Sequence, residues 1–580
     1  MSSMPWLKYY GNVPEKLQYP DYSMYDQVLE TSKKYPKYYA LDFMGKKTTY
    51  EALIIEINKV AKSFKALGIC EGDKVTVCMP NVPQAVYCFY ALNLIGATGN
   101  MIHPLSSEGE IEFYLKDSQS VAVITLDQFY GKFESIRKNY KLKNLIITSV
   151  RDALSPLMKL GYDFTEGKKV APIPKNADVV MWDRFIAEGE LYSGKYKKSK
   201  KGKDPAALLY SGGTTGTTKG ILLSNLNFNA LALQTAAMGN CCVPGNSMLA
   251  VMPIFHGFGL GVCIHTMLSF GCKCILIPRF NAQSYAKLLR TKKPNYIAGV
   301  PTLYEAILRN PDMEYVDLSC LQGVFSGGDT LSVELKKRFD KFLYDHNSKV
   351  PIREGYGTTE CVTASCLTPT TQTREGSIGI PFPDTLYKIV NPENCEEVPY
   401  GTEGEICING PTVMLQYVNQ PEETAHTLKV HSDKKLWLHT GDLGIMDSDG
   451  FIYFRQRMKR MIITSGYNVY PSQLENIIDA HDAVQMSCVI GVPDPLKIQK
   501  VKAFIMLKPG YEFTDELKEN IMDYCKKNIA KFAIPYDIEA REQLPKTLVG
   551  KVAYKVLEQE ELNKNDVVNA PSDALVAKAK

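Results

Sequence analysis

The chain has 580 residues, above the size at which one hydrophobic core stops growing, so more than one domain is expected. Hydrophobic residues make up 45% and charged residues 22%, which excludes a disordered, collagen-like or coiled-coil chain. A formal net charge of +4 is nearly neutral for this length and gives nucleic-acid binding no electrostatic footprint.

Met1 to Val13 has no apolar run of the kind a secretory signal needs. Tyr50 to Leu67 carries apolar residues at helical spacing, and Gly72-Asp73 then turns into the strand-like Lys74–Met79. Ser107 and Glu110 form a capping box that opens a helix toward Asp117. Val121–Thr125 and Leu145–Thr148 read as strands, and strands alternating with helices predict an α/β sheet with helices on its faces. Lys195 to Lys203 holds six lysines; it reads as a solvated loop rather than a patch steering anions. The strand-like Ala206–Tyr210 follows it.

Ile254 to Cys272 carries no formal charge, but His256, His265 and four glycines fit a buried helix beside a cavity better than a bilayer span. The 15 cysteines include no CxxC pair, and no Cys/His set has zinc-site spacing. Without an export signal they are expected as reduced, buried thiols of a cytoplasmic protein. The tail from Asn563 to Lys580 is polar and weakly patterned, hence frayed.

After Ala206–Tyr210 comes Ser211-Gly-Gly-Thr-Thr-Gly-Thr-Thr-Lys219-Gly220. Its glycines let the backbone turn tightly, its threonines add hydroxyls, and Lys219 adds a cation, a combination suited to a polyphosphate. The P-loop NTPase pattern fails here, because Thr218 precedes Lys219 and Gly220 follows it.

This loop resembles the signature of the adenylate-forming superfamily, which includes acyl-CoA synthetases, luciferases and peptide-synthetase adenylation domains. The usual loop there is close to YSSGTTGxPKG; Gly212 and Thr218 depart from it. The resemblance assigns Ser211, Thr214, Thr215, Gly216 and Lys219 to the phosphates. Phe325–Leu331 resembles the glycine segment lining the adenine site, with Gly327, Gly328 and Asp329. Arg353–Glu360 resembles QGYGxTE. By that likeness Tyr356 stacks on adenine beside Gly357 and Thr358, Thr359 bonds the α-phosphate, and Glu360 holds magnesium. Glu354 stands where Gln or Asn is usual.

Leu438–Gly444 matches the superfamily's TGDLG segment, so Asp442, read as part of a turn, takes both ribose hydroxyls. Phe454 and Arg457 complete the ribose end. Gln456 stands where many members have Asp. Lys459 matches the hinge of the C-terminal domain, and Gly466 the hairpin facing the pantetheine tunnel. Ile462–Glu475 most resembles bacterial medium- and long-chain fatty acyl-CoA synthetases. Leu544–Lys551 matches the C-terminal catalytic loop, which makes Lys551 the bridge between substrate carboxylate and α-phosphate. The motifs occur in the family's order across roughly residues 30–560.

The resemblance implies an α/β fold with a large N-terminal domain, residues 1–456, of mixed sheets with packed helices and a small barrel-like sheet. A small, mobile α+β domain, 457–562, and a flexible tail, 563–580, complete it. It also implies ATP, Mg2+ and CoA, and the activation of a carboxylic acid to acyl-AMP, then to a thioester. Lys551, Thr359, Glu360 and Lys219 would carry the chemistry by positioning and charge stabilisation, with no protein nucleophile. The acid's chain is expected along His256, Phe258, Gly299 and Val300, with Gly257, Gly259 and Gly261 opening a roomy apolar slot. That slot favours a medium- or long-chain fatty acid or an arylalkanoate. Rival readings are loading of an acyl carrier protein, a luciferase-like oxygenase and a nucleotide-binding homologue without catalysis. Expected partners are small molecules, with no nucleic acid and no transmembrane segment. Peripheral membrane contact and a monomer or homodimer are compatible with the sequence.

Overall fold

The computed structural model describes residues 4–211, 218–464, 467–547 and 550–569. Thr49 starts helix Tyr50–Ala66 by accepting from the Ala52 N–H, and Leu53, Ile57, Val60 and Phe64 bury one stripe of it. The predicted capping box forms. Ser107 accepts from the Glu110 N–H, the Glu110 carboxylate accepts from the Ser107 N–H, and helix Glu108–Ser118 follows. Strands Lys74–Cys78, Thr98–Met101, Ala122–Leu126 and Asn144–Thr148 pair in parallel within an eight-stranded sheet. Pro205–Tyr210 joins them parallel to Thr98–Met101, then the chain returns as antiparallel Gly220–Ser224. The phosphate loop thus leaves the carboxyl end of an interior strand, where open α/β sheets receive ligands.

A nine-stranded sheet carries the other nucleotide motifs. Gly323–Ser326 and Ile352–Tyr356 are parallel neighbours in it, so Gly327–Asp329 and Gly357–Glu360 leave the same sheet end side by side. Helix Pro83–Ile95 is buried at every residue but Tyr87, as an element apolar on all sides must be. It meets helix Asn225–Gly239 through Phe89 and Phe228, and the Tyr90 hydroxyl lies 2.9 Å from His265 Nδ1.

The uncharged stretch from Ile254 contains the π-helix Phe258–Thr266, buried throughout. Among the described residues no helix is long and apolar enough to cross a membrane. Burial drops the His265 pKa to about 3, so its neutral ring bridges Tyr90 and Asn229 as a structural group. In the lysine run, Lys198 and Lys200 face Glu71 at 3.1 and 3.4 Å.

Strands Leu386–Val390, Gly404–Asn409, Leu436–Met446, Leu428–Val430 and Ile452–Arg457 form the small barrel-like sheet. The main core runs from Trp6 to Ile452. Ile478, Val489, Ile505 and Ile521 belong to a separate core around the hairpin Val484–Asp494/Ile498–Leu507. The architecture is therefore mixed α/β, with a large N-terminal part and a smaller C-terminal α+β part. The closing helix Tyr554–Asn569 extends past residue 563, so the first residues of the expected frayed tail are helical.

Candidate active site

Asp442 lies inside strand Leu436–Met446 and not on a turn, directly opposite Arg457 in the antiparallel register. A register shift beside it, between Leu443 and Gly444, supplies the local irregularity the sequence suggested as a turn. Tyr356, at the end of Ile352–Tyr356, donates its hydroxyl to Asp442 Oδ2 at 2.6 Å. The Arg457 guanidinium lies 3.5 Å from Oδ1. Asp442 Oδ1 is nevertheless buried with no hydrogen-bond donor. A buried carboxylate oxygen without a donor is costly, and a vicinal diol is the kind of ligand that satisfies it. Burial raises the Asp442 pKa, opposed by Arg457 and Tyr356. Phe454 flanks Tyr356, ring centroids 5.9 Å apart.

Glu354 does not leave the strand edge toward a base. Its Oε1 accepts from the Leu331 N–H at 3.1 Å, which braces the loop carrying Gly327, Gly328 and Asp329. Burial pushes its pKa up to about 7. Past Tyr356, Gly357 approaches Thr363 so closely that a Cβ would lie 2.2 Å from its carbonyl oxygen. Thr358 then caps the short turn Thr359–Cys361, which ends at Val362 with φ +67°, a strained conformation for a β-branched residue. Glu360 Oε1 accepts from the Tyr417 hydroxyl at 2.7 Å.

Ser211 donates its N–H to the Lys219 carbonyl at 3.3 Å, closing the base of the phosphate loop. Thr214, Thr215 and Gly216 lie outside the described residues. The Lys219 ammonium pairs with Glu423 and sits 4.7 Å from the Tyr417 ring centroid. Tyr417 therefore links the two charged groups, Lys219 and Glu360. Neither it nor Glu423 belongs to a motif; the pairing of Gln416-Tyr417 with Ile221-Leu222 brings them in from some 200 residues away.

Lys551 enters from the C-terminal part. The Thr302 hydroxyl donates to the Gly550 carbonyl at 2.8 Å, and Val300 packs between Gly328 and Gly550. A Cβ on Gly328, where φ is +85°, would lie 3.7 Å from Lys551 Cε, so the lysine stem runs along this glycine. Burial and Arg457 lower the Lys551 pKa, while Asp329, Asp442 and Glu360 act in the opposite sense. Lys459 follows Arg457 in the turn Met458–Arg460. Gly466 lies outside the described residues.

A narrow cavity lies beside this lysine, lined by Phe258, Val262, Phe325, Gly327, Leu367 and Phe382 among others. None of its lining residues is charged. Gly257, Gly259 and Gly261 do not widen it. A Cβ at Gly257 would lie 1.6 Å from the Val362 carbonyl oxygen, at Gly259 2.0 Å from that of Pro253, and at Gly261 2.6 Å from Leu231. Gly257 and Gly259 let the chain approach neighbouring backbone and Gly261 makes room for the Leu231 side chain, so the expectation that they open a slot is corrected. Gly299 faces Leu303. The His256 ring accepts from the Phe258 N–H at 3.2 Å, and burial, with Lys551 nearby, drops its pKa to about 3. Phe258 is thus the sequence-predicted pocket residue that borders the cavity together with Gly327.

The profile of the AMP-binding enzyme family matches residues 28–418, and that of the AMP-binding enzyme C-terminal domain matches residues 473–551. A long-chain-fatty-acid–CoA ligase of Bacillus subtilis (strain 168) is 33% identical over 574 residues, 98% of this chain and 100% of that protein. Its counterpart in Salmonella typhimurium is 30% identical, over 97% of this chain and 99% of that one. The crystal structure of the anthranilate CoA ligase AuaEII in complex with anthranoyl-AMP superposes with a TM-score of 0.80 at 25% identity, covering 95% of this chain and 98% of that chain. With both domains matched and relatives aligned end to end, the chain belongs to the AMP-binding enzyme family, among its AMP-forming acyl-CoA synthetases.

Proposed function

We propose that the protein condenses a long-chain fatty acid with ATP to give acyl-AMP and pyrophosphate, then transfers the acyl group to CoA. The observation that carries this reading is the position of Lys551. Its stem lies along Gly328, which lines the uncharged cavity, and its charge is felt by Asp442 and Glu360 on the nucleotide side. A carboxylate entering from an apolar slot meets this cation where the α-phosphate must also lie. Lys551 offsets the mutual repulsion of the two anions, and the slot excludes water from the mixed anhydride.

In this reading Asp442 holds the ribose, Tyr356 and Phe454 flank the adenine, and Thr359 faces the α-phosphate. Lys219 exchanges Glu423 for the leaving phosphates. Glu360 suits magnesium, since one carboxylate oxygen is held by Tyr417 and a hard cation of this size takes one or two carboxylates plus phosphate oxygens. Bound there, magnesium would neutralise charge on pyrophosphate. Lys459 serves as the pivot between half-reactions, residues 457–562 moving against 1–456, and Gly466 faces the thiol. The names of the Bacillus and Salmonella relatives and the apolar lining support a fatty acid over a short or dicarboxylic one. We place the enzyme in the cytoplasm, as monomer or homodimer, taking its acid as a free small molecule.

Pyrophosphate release from ATP, measured across C2 to C18 acids and phenylalkanoates with and without CoA, tests this. Release that peaks with long-chain acids and rises with CoA is expected. Release indifferent to CoA would move the acceptor to a carrier protein, and no release with any acid would sink the reading.

A further inference from the structure

The barrel-like sheet gathers metal-ligand side chains away from the nucleotide crevice, although no sequence spacing announced them. The register sets Cys407 on Gly404–Asn409 opposite His439 on Leu436–Met446. The tight return after Leu428–Val430 brings in His431, and the Asn391–Glu397 loop brings in Cys395. The ligand atoms of Cys395, His431 and His439 all lie within 4.8 Å of one another.

The two imidazoles meet Nε2 to Nε2 at 2.8 Å. His439 Nδ1 lies 2.7 Å from Glu405 Oε2, and Glu405 Oε1 accepts from the Gly441 N–H at 2.9 Å. An ionised carboxylate only accepts, so His439 keeps its proton on Nδ1 and aims the Nε2 lone pair at His431. That carboxylate–histidine arrangement is the one that orients metal-bound imidazoles. His431 must then supply the proton between the rings from its own Nε2. Its Nδ1 is buried with no hydrogen-bond partner. The Lys429 ammonium lies 3.8 Å from Cys395 Sγ. Cys395 itself has φ +60°, an uncommon conformation for a residue other than glycine.

We propose that Cys395, His431 and His439 bind a zinc ion, with Glu405 positioning His439. One thiolate and two imidazoles suit zinc and not magnesium or calcium, which take oxygen. Tetrahedral zinc holds such donors about 3.3–3.7 Å apart, within reach of small rotations of these side chains. Binding releases the Cys395 thiol proton to solvent and moves the His431 proton from Nε2 to the vacant Nδ1; no redox step is involved. Three protein ligands would leave a fourth position for water or another small donor. Cys407, the register partner of His439, is not among the proposed ligands. The site lies three residues from Asp442, and Glu405 is the shared anchor of His439 and the Gly441 N–H.

The test uses the full-length, tag-free protein after chelator treatment, titrated with Zn2+ and with Co2+. One equivalent of zinc is expected, and the cobalt form should show a thiolate charge-transfer band. Cys395→Ser should abolish that band and weaken zinc binding at least tenfold, and His431→Gln should weaken it similarly. Cys70→Ser, at an exposed cysteine elsewhere, should change neither. Thermal unfolding of the metal-free variants alongside the parent controls for folding. Zinc content equal in the parent and the Cys395→Ser/His431→Gln double variant, or a charge-transfer band that survives Cys395→Ser, would overturn the assignment.

Discussion

Tyr356 and Asp442 lie 86 residues apart in sequence and share a hydrogen bond of 2.6 Å that joins the nine-stranded sheet to the barrel-like sheet. It uses one oxygen of Asp442 and leaves the other buried without a donor. Asp442→Ala should therefore cost at least about 100-fold in kcat/KM for ATP. Tyr356→Phe should cost less, because the carboxylate survives. Steady-state kinetics with ATP varied distinguishes the two, and equal losses would contradict separate roles.

Lys551 and Lys459 should divide the two half-reactions. Lys551→Ala is expected to slow acyl-AMP formation by about 10²–10³-fold while sparing thioester formation from supplied acyl-AMP. Lys459→Pro, which stiffens the turn Met458–Arg460, should do the reverse. Single-turnover assays of each half-reaction decide this.

Lys219 is already paired with Glu423, whose pKa that lysine lowers. Phosphates must displace this carboxylate, so Glu423→Gln should lower KM for ATP by about two- to fivefold. A raised KM would show that Glu423 positions the lysine productively.

Glu354 carries a pKa raised to about 7 by burial. Such a group binds its proton more tightly in the folded state, so its contribution holds below the unfolded value and is lost as pH climbs through 7. Glu354→Gln should remove that dependence and gain up to about 3 kcal/mol relative to the parent at pH 8 over pH 4.5. Thermal unfolding of both proteins across that range measures it, and parallel curves would refute it.

Gly257 has no room for a Cβ against the Val362 carbonyl. Gly257→Ala should destabilise the protein by about 3 kcal/mol or more and impair acid binding through the displaced π-helix. An unchanged melting temperature would show that the Val362 turn yields easily.

The sequence alone determined the local chemistry. Strands, capping boxes and helix stripes follow from residue spacing because they are satisfied within a few residues, as at Ser107–Glu110 and Tyr50–Ala66. The ordered motifs likewise named Asp442, Tyr356, Glu360 and Lys551. Packing across the chain decided the rest. Asp442 became a strand residue because pairing with Arg457 satisfies its backbone. Gly257 and Gly259 turned out to serve close backbone approach, and Gly261 close packing against the Leu231 side chain. Tyr417 and Glu423 reached the site through pairing with Gly220–Ser224, and Cys395, His431 and His439 met through sheet register. Periodicity cannot register such contacts, because their partners are distant in sequence and are fixed only when the sheets close.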